Sequence, residues 1–332
     1  MNEYYVAWWN VENLFAPEDY PNRSDKLKRA LGKELQGWTA DVLNKKLVQL
    51  ASIIRQMNDG RGPDLLGVCE VENRDVLNQL VAALDDLDRQ YKVVHSDTKD
   101  ARGIDVAFLY DSARFKIKAN EVFNHFILRR NATRDLVQAS FYTKPKGNRL
   151  VCIGNHWPSR SGGELESEPY RIGAAETLSY WHERILELFT AGAHEPPLLV
   201  MGDFNDEPFN RSLIEYALSE RIERRVVSKR TQNPYLFNLM WSLMGRGVGT
   251  YYYEGLPNML DQLLVNRAML RPESALKVRP ESVEILTFPE MVVSSGVNKG
   301  SPKRFGRPAA ASSLDEPGFS DHLPIAVRVV EE

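Results

Sequence analysis

The chain has 332 residues, of which 43% are hydrophobic, and its 42 Lys and Arg against 45 Asp and Glu leave a net charge of −3. This length and apolar content suffice for a large buried core. The slight negative balance excludes a global positive field that would attract nucleic acid, so any basic surface must be local. No stretch has the pattern of a signal peptide or a membrane span, and we expect a cytoplasmic protein without membrane insertion.

Both cysteines, Cys69 and Cys152, lie inside apolar runs that are typical of core strands. Such positions favour reduced, buried thiols over a disulfide or a metal-binding pair. The sequence therefore predicts two separate core thiols.

Apolar periodicity predicts short strands that alternate with amphipathic helices. The strands are predicted at residues 4–11, 64–71, 91–94, 104–110, 115–122, 136–143, 149–156, 197–204, 260–265 and 323–330. The helices are predicted at residues 41–57, 74–87 and 169–189. Between residues 91 and 156 the strands follow one another across short polar turns, which indicates antiparallel pairing.

Two segments have no predicted element: residues 245–257, rich in Gly and Tyr, and residues 296–318, rich in Gly, Pro, Ser and basic residues. Long loops in compact domains are often functional. No internal repeat or long linker divides the chain, so we predict one domain over residues 1–332. Many strands with flanking helices predict an α/β or α+β sandwich of two packed, mainly antiparallel sheets.

Polar residues stand where the first two apolar strands end. Asn10 and Glu12 flank Val11 at the end of the first strand. Glu70 stands at the end of the second strand, directly after its apolar run. A carboxylate at the end of a buried strand is costly unless it is paired or bound to a cation, and a hard divalent cation prefers oxygen ligands. A polar turn with Asn capping, or a carboxylate that begins a helix, explains the same residues without a metal.

A second group follows the strand predicted at residues 149–156. Asn155 and His156 end this strand, and Arg160 lies in the turn beyond it. A histidine there can donate to a phosphate oxygen or a leaving group, and an arginine in a turn can hold a phosphate. A half-buried histidine with a structural hydrogen bond is the alternative.

A third group follows the strand predicted at residues 197–204. Asp203 and Asn205 are two positions apart, so they share a face and can hold a water and a phosphoryl oxygen. The alternative is a helix N-cap, although Asp206 suits that role better.

The last group lies near the C-terminus. Asp321 and His322 precede the final predicted strand and offer a ligand and a base together. Asp261 begins another apolar strand and could orient a histidine, as carboxylates do in catalytic dyads.

The order of these motifs is more specific than any one of them. NVEN at 10–13, Glu70, NHW at 155–157, GDFN at 202–205, LDQ at 260–262 and SDHLP at 320–324 follow one another along residues 8–327. This series resembles the endonuclease/exonuclease/phosphatase superfamily, which includes pancreatic-type DNases, abasic-site endonucleases, inositol polyphosphate phosphatases and neutral sphingomyelinases. The segment 102–107 looks like one common in bacterial members. The resemblance implies a DNase I-like four-layer sandwich.

The resemblance also implies a metal site. Glu70 matches the principal ligand of the family, and Asn10 and Asp321 complete or border the site, with Glu12 close by. Mg²⁺ is the expected ion, with Mn²⁺ or Ca²⁺ as alternatives. Activity as a hydrolase of phosphate esters follows from the same resemblance.

Catalytic roles carry over in the same way. Asp203 would orient or deprotonate the attacking water, and Asn205 would bind the phosphate. His322 would act as the base or a phosphate ligand, oriented by Asp261, and His156 would be the acid.

Further contacts are expected around this centre. Asp105 is the candidate partner of His156. The residues expected to contact substrate are Arg160, Arg102, Asn155 and Tyr251.

A nuclease that acts on DNA or RNA is the first substrate hypothesis. Local basic runs favour nucleic acid as the partner: Arg129 and Arg130 with Arg134, Arg221 with Arg224 and Arg225, Lys229 with Arg230, and Lys303 and Arg304 with Arg307. The last run precedes Asp321 and could border the site, and the tyrosines at 251–253 could stack on bases. Solvated charge and half-buried tyrosines explain these features equally well.

The second hypothesis is a phosphatase or phosphodiesterase that acts on a small molecule or lipid headgroup. The inositol phosphatases carry Trp-Cys-Asp-Arg where this chain has Met-Leu-Asp-Gln at 259–262, which disfavours an inositide. A sphingomyelinase would need an exposed apolar hairpin, and none is evident in the sequence. A non-catalytic binding module would be expected to lack some of the site residues, and all are present. We assume a monomer.

Overall fold

The computed structural model describes residues 1–129, 133–190, 195–228, 233–309 and 314–332. The strands, in chain order, are β1 (Asn2–Leu14), β2 (Leu65–Val71), β3 (Tyr91–His95), β4 (Asp105–Asp111), β5 (Phe115–His125), β6 (Leu136–Thr143), β7 (Arg149–His156), β8 (Leu198–Asp203), β9 (Ser219–Glu220), β10 (Leu236–Asn238), β11 (Tyr251–Tyr253), β12 (Leu256–Asn258), β13 (Asp261–Val265), β14 (Leu276–Ile285) and β15 (Ile325–Glu331). The α-helices are α1 (Asp25–Leu31), α2 (Ala40–Gly60), α3 (Arg74–Ala82), α4 (Glu164–Thr190) and α5 (Glu223–Val227). No helix in the described ranges is long and apolar enough to cross a membrane.

The strands form two mixed sheets and a separate hairpin. The first sheet has the order β14-β15-β1-β2-β4-β3, and the second has the order β5-β6-β7-β8-β13-β10-β9. Most neighbours are antiparallel. β1 and β2 run parallel near the middle of the first sheet, β7 and β8 do so in the second, and the short strands β9 and β10 also pair in parallel at its edge. The predicted two-sheet architecture is confirmed, and each sheet contains a parallel pair whose carboxyl ends lie together.

The main core lies between the sheets. Trp8 and Phe108 of the first sheet pack in one cluster with Phe141 and Met201 of the second. A second cluster joins α2 and α3 to the outer face of the first sheet, and a third joins α4 to the outer face of the second. The molecule is therefore a four-layer sandwich of helix, sheet, sheet and helix, as predicted.

Helix α2 illustrates how the sequence sets these layers. Thr39 caps it by accepting a hydrogen bond from the backbone N–H of Val42. Its apolar stripe is buried against the first sheet. Asn58 and Asp59 have φ values of 55° and 56°, so the regular helix ends at the predicted position.

The two cysteines lie between the sheets. Cys69 on β2 and Cys152 on β7 are free and buried, and burial raises the pKa of both thiols. The prediction of two separate core thiols is confirmed.

Part of the segment without a predicted element forms the hairpin β11–β12. Tyr253 is 63% exposed and Leu256 is 68% exposed. An exposed apolar hairpin, which was not evident in the sequence, is therefore present. The sequence pattern does not indicate this hairpin, because each of its strands has only three residues, too few to show an alternating pattern.

Candidate active site

The carboxyl ends of the parallel pairs β1–β2 and β7–β8 lie opposite each other across the gap between the sheets. In the second sheet His156 pairs with Asp203, and Asp203 pairs with Asp261, so three ionisable side chains form one row. From the first sheet, the side-chain amide of Asn10 donates to Asp203 Oδ2 over 3.1 Å. The packing of the sheets thus brings the polar ends of four strands into one cleft.

His322 joins this row from the first sheet. Its Nδ1 lies 2.6 Å from Asp261 Oδ2, and its Nε2 lies 3.7 Å from Asp203 Oδ2. Burial disfavours the charged ring, but Asp261 and Asp203 outweigh it and hold the pKa of His322 well above its ordinary value. Trp8 Nε1 donates to the other oxygen of Asp261 over 3.0 Å and fixes this carboxylate. The arrangement is an imidazolium held by one carboxylate and directed at another.

Asp203 is positioned to exchange protons near neutral pH. Burial raises its pKa to about 6, with His322 opposing the rise and Asp261 adding to it. The backbone N–H of Asn205 donates to Asp203 Oδ1 over 2.9 Å, and the Asn205 side chain donates to the carbonyl of Trp157 over 3.0 Å. A carboxyl group with such a pKa suits general base catalysis.

Glu70 lies on a strained stretch of backbone. Its φ is 65°, in the left-handed region that residues with a side chain rarely adopt. The pairing of β2 with both of its neighbours shifts register at this point, and bulges of this kind re-aim side chains beside active sites. Glu12, Asn13 and Asn205 also have positive φ, at 50°, 54° and 50°. Strain concentrated in one cleft is characteristic of functional sites.

Glu12 faces a different partner from the one expected. Its Oε1 accepts hydrogen bonds from Arg304 Nε and Nη2 over 2.9 and 2.7 Å, and its Oε2 accepts one from the backbone N–H of Phe305 over 2.9 Å. Both oxygens are thus engaged, and Glu12 ties the loop around residue 304 to the end of β1. It borders the site without offering a free oxygen to a metal.

Asp321, like Glu70, is a carboxylate that can bind a cation. Burial, then Glu12, and more weakly Glu70, raise its pKa to about 7, while His322 and Arg304 oppose the rise. Its Oδ2 lies 3.9 Å from Arg304 Nη2. The charge of Glu70 therefore acts on Asp321, as expected of two carboxylates that line one cleft.

His156 lies between the two halves of the site. Its Nε2 is 3.7 Å from Glu70 Oε1 and 3.8 Å from Asp203 Oδ2, whereas its buried Nδ1 has no hydrogen-bond partner in the described chain. Burial, with Arg134 and Arg102, holds the pKa of His156 well below its ordinary value. The ring is therefore neutral, which suits a hydrogen bond to a phosphate better than proton donation.

The expected pairing of Asp105 with His156 is wrong. Asp105 Oδ2 lies 3.1 Å from His95 Nε2, and its other oxygen accepts hydrogen bonds from the backbone and hydroxyl of Thr98. Asp105 begins β4 two residues before Ala107, the partner of His95, so its side chain lies on the same face as His95.

Two of the four residues expected to contact substrate form hydrogen bonds within the protein instead. Asn155 is fully buried, and its amide donates to the carbonyls of Ile153 and Met201. It therefore joins strands β7 and β8 and does not face a substrate. Arg160 donates to the backbone carbonyl of Asn205 and to Asp206, so it supports the loop after β8.

The other two contacts lie at the edge of the cleft. Arg102 Nη2 donates to Asn13 Oδ1 over 2.5 Å, beside the strained end of β1. The rings of Tyr251 and His322 are 4.9 Å apart at an angle of 39°. Both side chains are placed where a substrate on His322 and Glu70 could reach them.

The basic runs are dispersed, and two of them reach the site. Arg134 donates to the carbonyl of Trp157 and helps to lower the pKa of His156. Arg304 contacts Glu12, whereas Arg307 pairs with Glu34. Three other members lie elsewhere: Arg129 over the ring of Tyr170, Arg221 over Trp241, and Arg225 beside Glu220. Arg130, Lys229 and Arg230 lie outside the described residues.

Sequence reasoning missed several supporting residues. Trp9 Nε1 donates to the carbonyl of His322 over 2.9 Å, and Arg134 Nη2 donates to the carbonyl of Trp157. Lys46 on α2 is fully buried beneath the site, where its Nζ lies 3.3 Å from the carbonyl of Phe319. The adjacent tryptophans before Asn10 were a usable signal, because two large donors in one buried strand need acceptors.

The donor set suits a hard divalent cation. Among the described residues, no hydrogen-bond donor reaches Glu70 Oε1 or the carboxylate of Asp321. Asp203, Asp261 and His322 also offer ligand atoms within 4.8 Å of one another, but Asp261 and His322 bind each other. Carboxylate oxygens are the ligands that Mg²⁺ and Mn²⁺ prefer. Glu70 and Asp321 are therefore the residues that fit a metal.

A two-sheet sandwich that brings carboxylates, an aspartate–histidine pair and a neutral histidine into one cleft is an arrangement suited to the hydrolysis of phosphate esters. The model of the endonuclease/exonuclease/phosphatase family matches residues 5–331, and the chain belongs to this family.

Solved structures support the fold at low sequence identity. A family protein from Bacteroides thetaiotaomicron has a TM-score of 0.57 at 16% identity, covering 100% of this chain and 98% of that one. A mannosyl-6-phosphatase from the same bacterium has a TM-score of 0.57 at 16% identity, covering 98% and 99%. The human Nocturnin catalytic domain has a TM-score of 0.54 at 17% identity, covering 99% and 95%. No curated protein matches the sequence.

Proposed function

We propose that the protein is a metal-dependent nuclease that hydrolyses phosphodiester bonds of DNA or RNA. One observation carries this proposal: His322, held by Asp261, is directed at Asp203 across from the free oxygen of Glu70. This geometry provides a proton acceptor, a cationic hydrogen-bond donor and a metal ligand around one reacting phosphate.

Glu70 and Asp321 would hold Mg²⁺, or Mn²⁺ or Ca²⁺ in its place, which would supply positive charge to the phosphate oxygens and the leaving oxygen. Asn10 supports the site through its hydrogen bond to Asp203. That hydrogen bond and the one from the Asn205 backbone keep the Asp203 carboxylate fixed.

Asp203 accepts a proton as a water oxygen forms its bond to phosphorus. The bond to the leaving oxygen breaks, and solvent protonates that oxygen. His322 donates Nε2–H to a phosphate oxygen and stabilises the developing charge. His156, being neutral, adds a hydrogen bond from the opposite side. Asn205 completes the set as a phosphate contact.

Nucleic acid is favoured as the substrate by the groups at the rim. Arg102 and Arg304 provide positive charge at the cleft, and Tyr251 provides a ring beside His322. A phosphatase acting on a small molecule is the second candidate. It is favoured by the structural similarity to a mannosyl-6-phosphatase and by the net charge of −3.

The test incubates the protein with supercoiled plasmid, single-stranded DNA, RNA and bis-p-nitrophenyl phosphate, with Mg²⁺, Mn²⁺, Ca²⁺ or EDTA. A His322→Ala variant is the control. Metal-dependent strand cleavage that the variant lacks is the expected result. Hydrolysis of the chromogenic diester without any cleavage of nucleic acid would overturn the nuclease proposal and favour the small-molecule alternative.

A further inference from the structure

The hairpin β11–β12 projects from the site as a rigid unit. Its turn residues Glu254 and Gly255 have φ values of 50° and 77°. Positive φ at both central residues defines the tight two-residue turn that matches the twist of paired strands. The register pairs Tyr251 with Asn258, and Tyr253 with Leu256.

The inner end of the hairpin is fixed to the catalytic histidine. Tyr251 forms a β-bridge with His322, and their rings are 4.9 Å apart. The backbone N–H of Leu323 donates to the carbonyl of Thr250 over 2.7 Å. The position of the hairpin is therefore coupled directly to the position of His322.

The face that begins at Tyr251 continues outward as an apolar surface. Side chains two apart on a strand share a face, so Tyr253 and its partner Leu256 extend the face of Tyr251. They are 63% and 68% exposed. Two residues of strand span about 6.6 Å, which is the length of about two stacked nucleotides.

A neighbouring turn supports the hairpin and adds charge. A Cβ on Gly255 would lie 3.1 Å from the carbonyl of Val297, and one on Gly300 would lie 3.2 Å from the hydroxyl of Tyr252. Lys299 is exposed on this turn, and no carboxylate of the described chain lies within 4.0 Å of its ammonium. The hairpin therefore combines an aromatic and aliphatic face with unpaired positive charge close by.

We propose that Tyr253 and Leu256 form a platform on which a nucleobase next to the scissile phosphate stacks. This inference rests on the proposed nuclease function. A single strand fits, because its bases expose the faces that an aromatic platform requires. The free ammonium of Lys299 complements the phosphates of such a strand.

The test measures binding by fluorescence anisotropy with Mg²⁺ in the Asp203→Asn background, which removes the proposed base and keeps His322 with its contact to Tyr251. Two labelled strands of equal length are compared, one of mixed sequence and one abasic, at a single salt concentration. The platform predicts that the mixed strand binds about tenfold more tightly than the abasic strand, since the abasic strand has no base to stack on the tyrosine ring. Adding Tyr253→Ala with Leu256→Ser should bring this ratio close to one.

A matched control uses Tyr180→Ala with Leu188→Ser on α4, because these residues are 53% and 73% exposed on the far side of the second sheet. This control should leave the ratio unchanged. Circular dichroism and thermal melting verify that both double variants fold.

The remaining outcomes separate the platform from the function. If the mixed strand binds preferentially and the hairpin variant retains this preference, the platform is wrong and the nuclease proposal stands. If neither strand binds, both proposals fail. Sedimentation with phosphatidylcholine–phosphatidylserine vesicles then tests the same surface, and binding that depends on Tyr253 and Leu256 would replace the nucleobase with a lipid surface.

Discussion

His322 with Asp261 and His95 with Asp105 are both buried histidine–aspartate pairs, and each lies beside a second carboxylate. In both clusters the ligand atoms lie within 4.8 Å of one another. The two clusters differ in what surrounds them. The second carboxylate beside His322 is buried Asp203, whereas the one beside His95 is exposed Asp97.

The His95–Asp105 pair is saturated by ordinary contacts, and Asp97 beside it is exposed to solvent. Asp105 accepts from His95 and twice from Thr98, and the carbonyl of His95 accepts from Arg74 over 2.8 Å. It borders a cavity of about 720 Å³, larger than the other cavities described. Neither the pair nor the size of the cavity therefore identifies the site. Strained backbone and carboxylate oxygens without donors do so.

The largest expected effect separates the two histidines. His322→Ala should lower kcat for a phosphodiester by about 10²–10⁴-fold, because it removes the donor that meets the phosphate. His95→Ala should leave kcat within about twofold. Steady-state kinetics on bis-p-nitrophenyl phosphate measures both. Equal losses in the two variants would contradict the distinction.

The affinity for a metal ion should also distinguish the candidate site from the His95 cluster. Glu70→Gln removes a carboxylate that we place on the metal, and it should weaken Mn²⁺ binding by about 100-fold or more, above the effect of residues that only orient ligands. Asp97→Asn in the other cluster is the control and should leave the affinity unchanged. Isothermal titration calorimetry with Mn²⁺ measures both, and tight binding lost only in Asp97→Asn would exchange the roles of the clusters.

Lys46, the buried lysine beneath the candidate site, should lower the stability of the protein because its charge is buried. Burial lowers the pKa of Lys46 from 10.5 to about 8, although Glu12, Asp321 and Glu70 oppose the shift. Below pH 8 the full cost of burying the charge is present. Between pH 8 and 10.5 the unfolded chain holds more protons at this position than the folded chain, so stability rises with pH.

Lys46→Met should therefore stabilise the metal-free protein by roughly 2–3 kcal/mol at pH 7. The gain should shrink as the pH rises from 8 towards 10.5. Urea unfolding at several pH values with EDTA measures it. A gain that is independent of pH would show that packing, and not charge, is responsible.

Much of the fold could be predicted because local pattern determines it. Strands β6 and β7 have the predicted bounds, since polar turns delimit their apolar runs. Strand β14 was missed because Pro280 interrupts it and its pairing shifts register there. Helix α4 begins at Glu164, before the predicted start at Pro169. The prediction is wrong there because proline normally marks the first turn of a helix, whereas Pro169 lies inside this one.

The sequence predicts the residues that meet in the candidate site more completely than it predicts their hydrogen-bond partners. Asp203, Asp261 and His322 stand at strand ends, which a single sequence reveals. The contact of Glu12 with Arg304 joins residues 292 positions apart, and only the packed sheets bring them together. For the same reason the sequence could not show that Asn155 is buried or that His95 binds Asp105.

The smallest expected effect concerns the stability contributed by the saturated pair. His95→Ala removes the partner of a buried Asp105 oxygen and should lower the free energy of unfolding by about 1–3 kcal/mol. Asp97→Asn, at an exposed position, should change it by less than about 0.5 kcal/mol. The midpoint of urea unfolding measures both. Because the same His95→Ala change is expected to spare kcat, a loss of stability without a loss of activity would identify this pair as structural. A stable but inactive His95→Ala protein would instead make the second cluster part of the catalytic machinery.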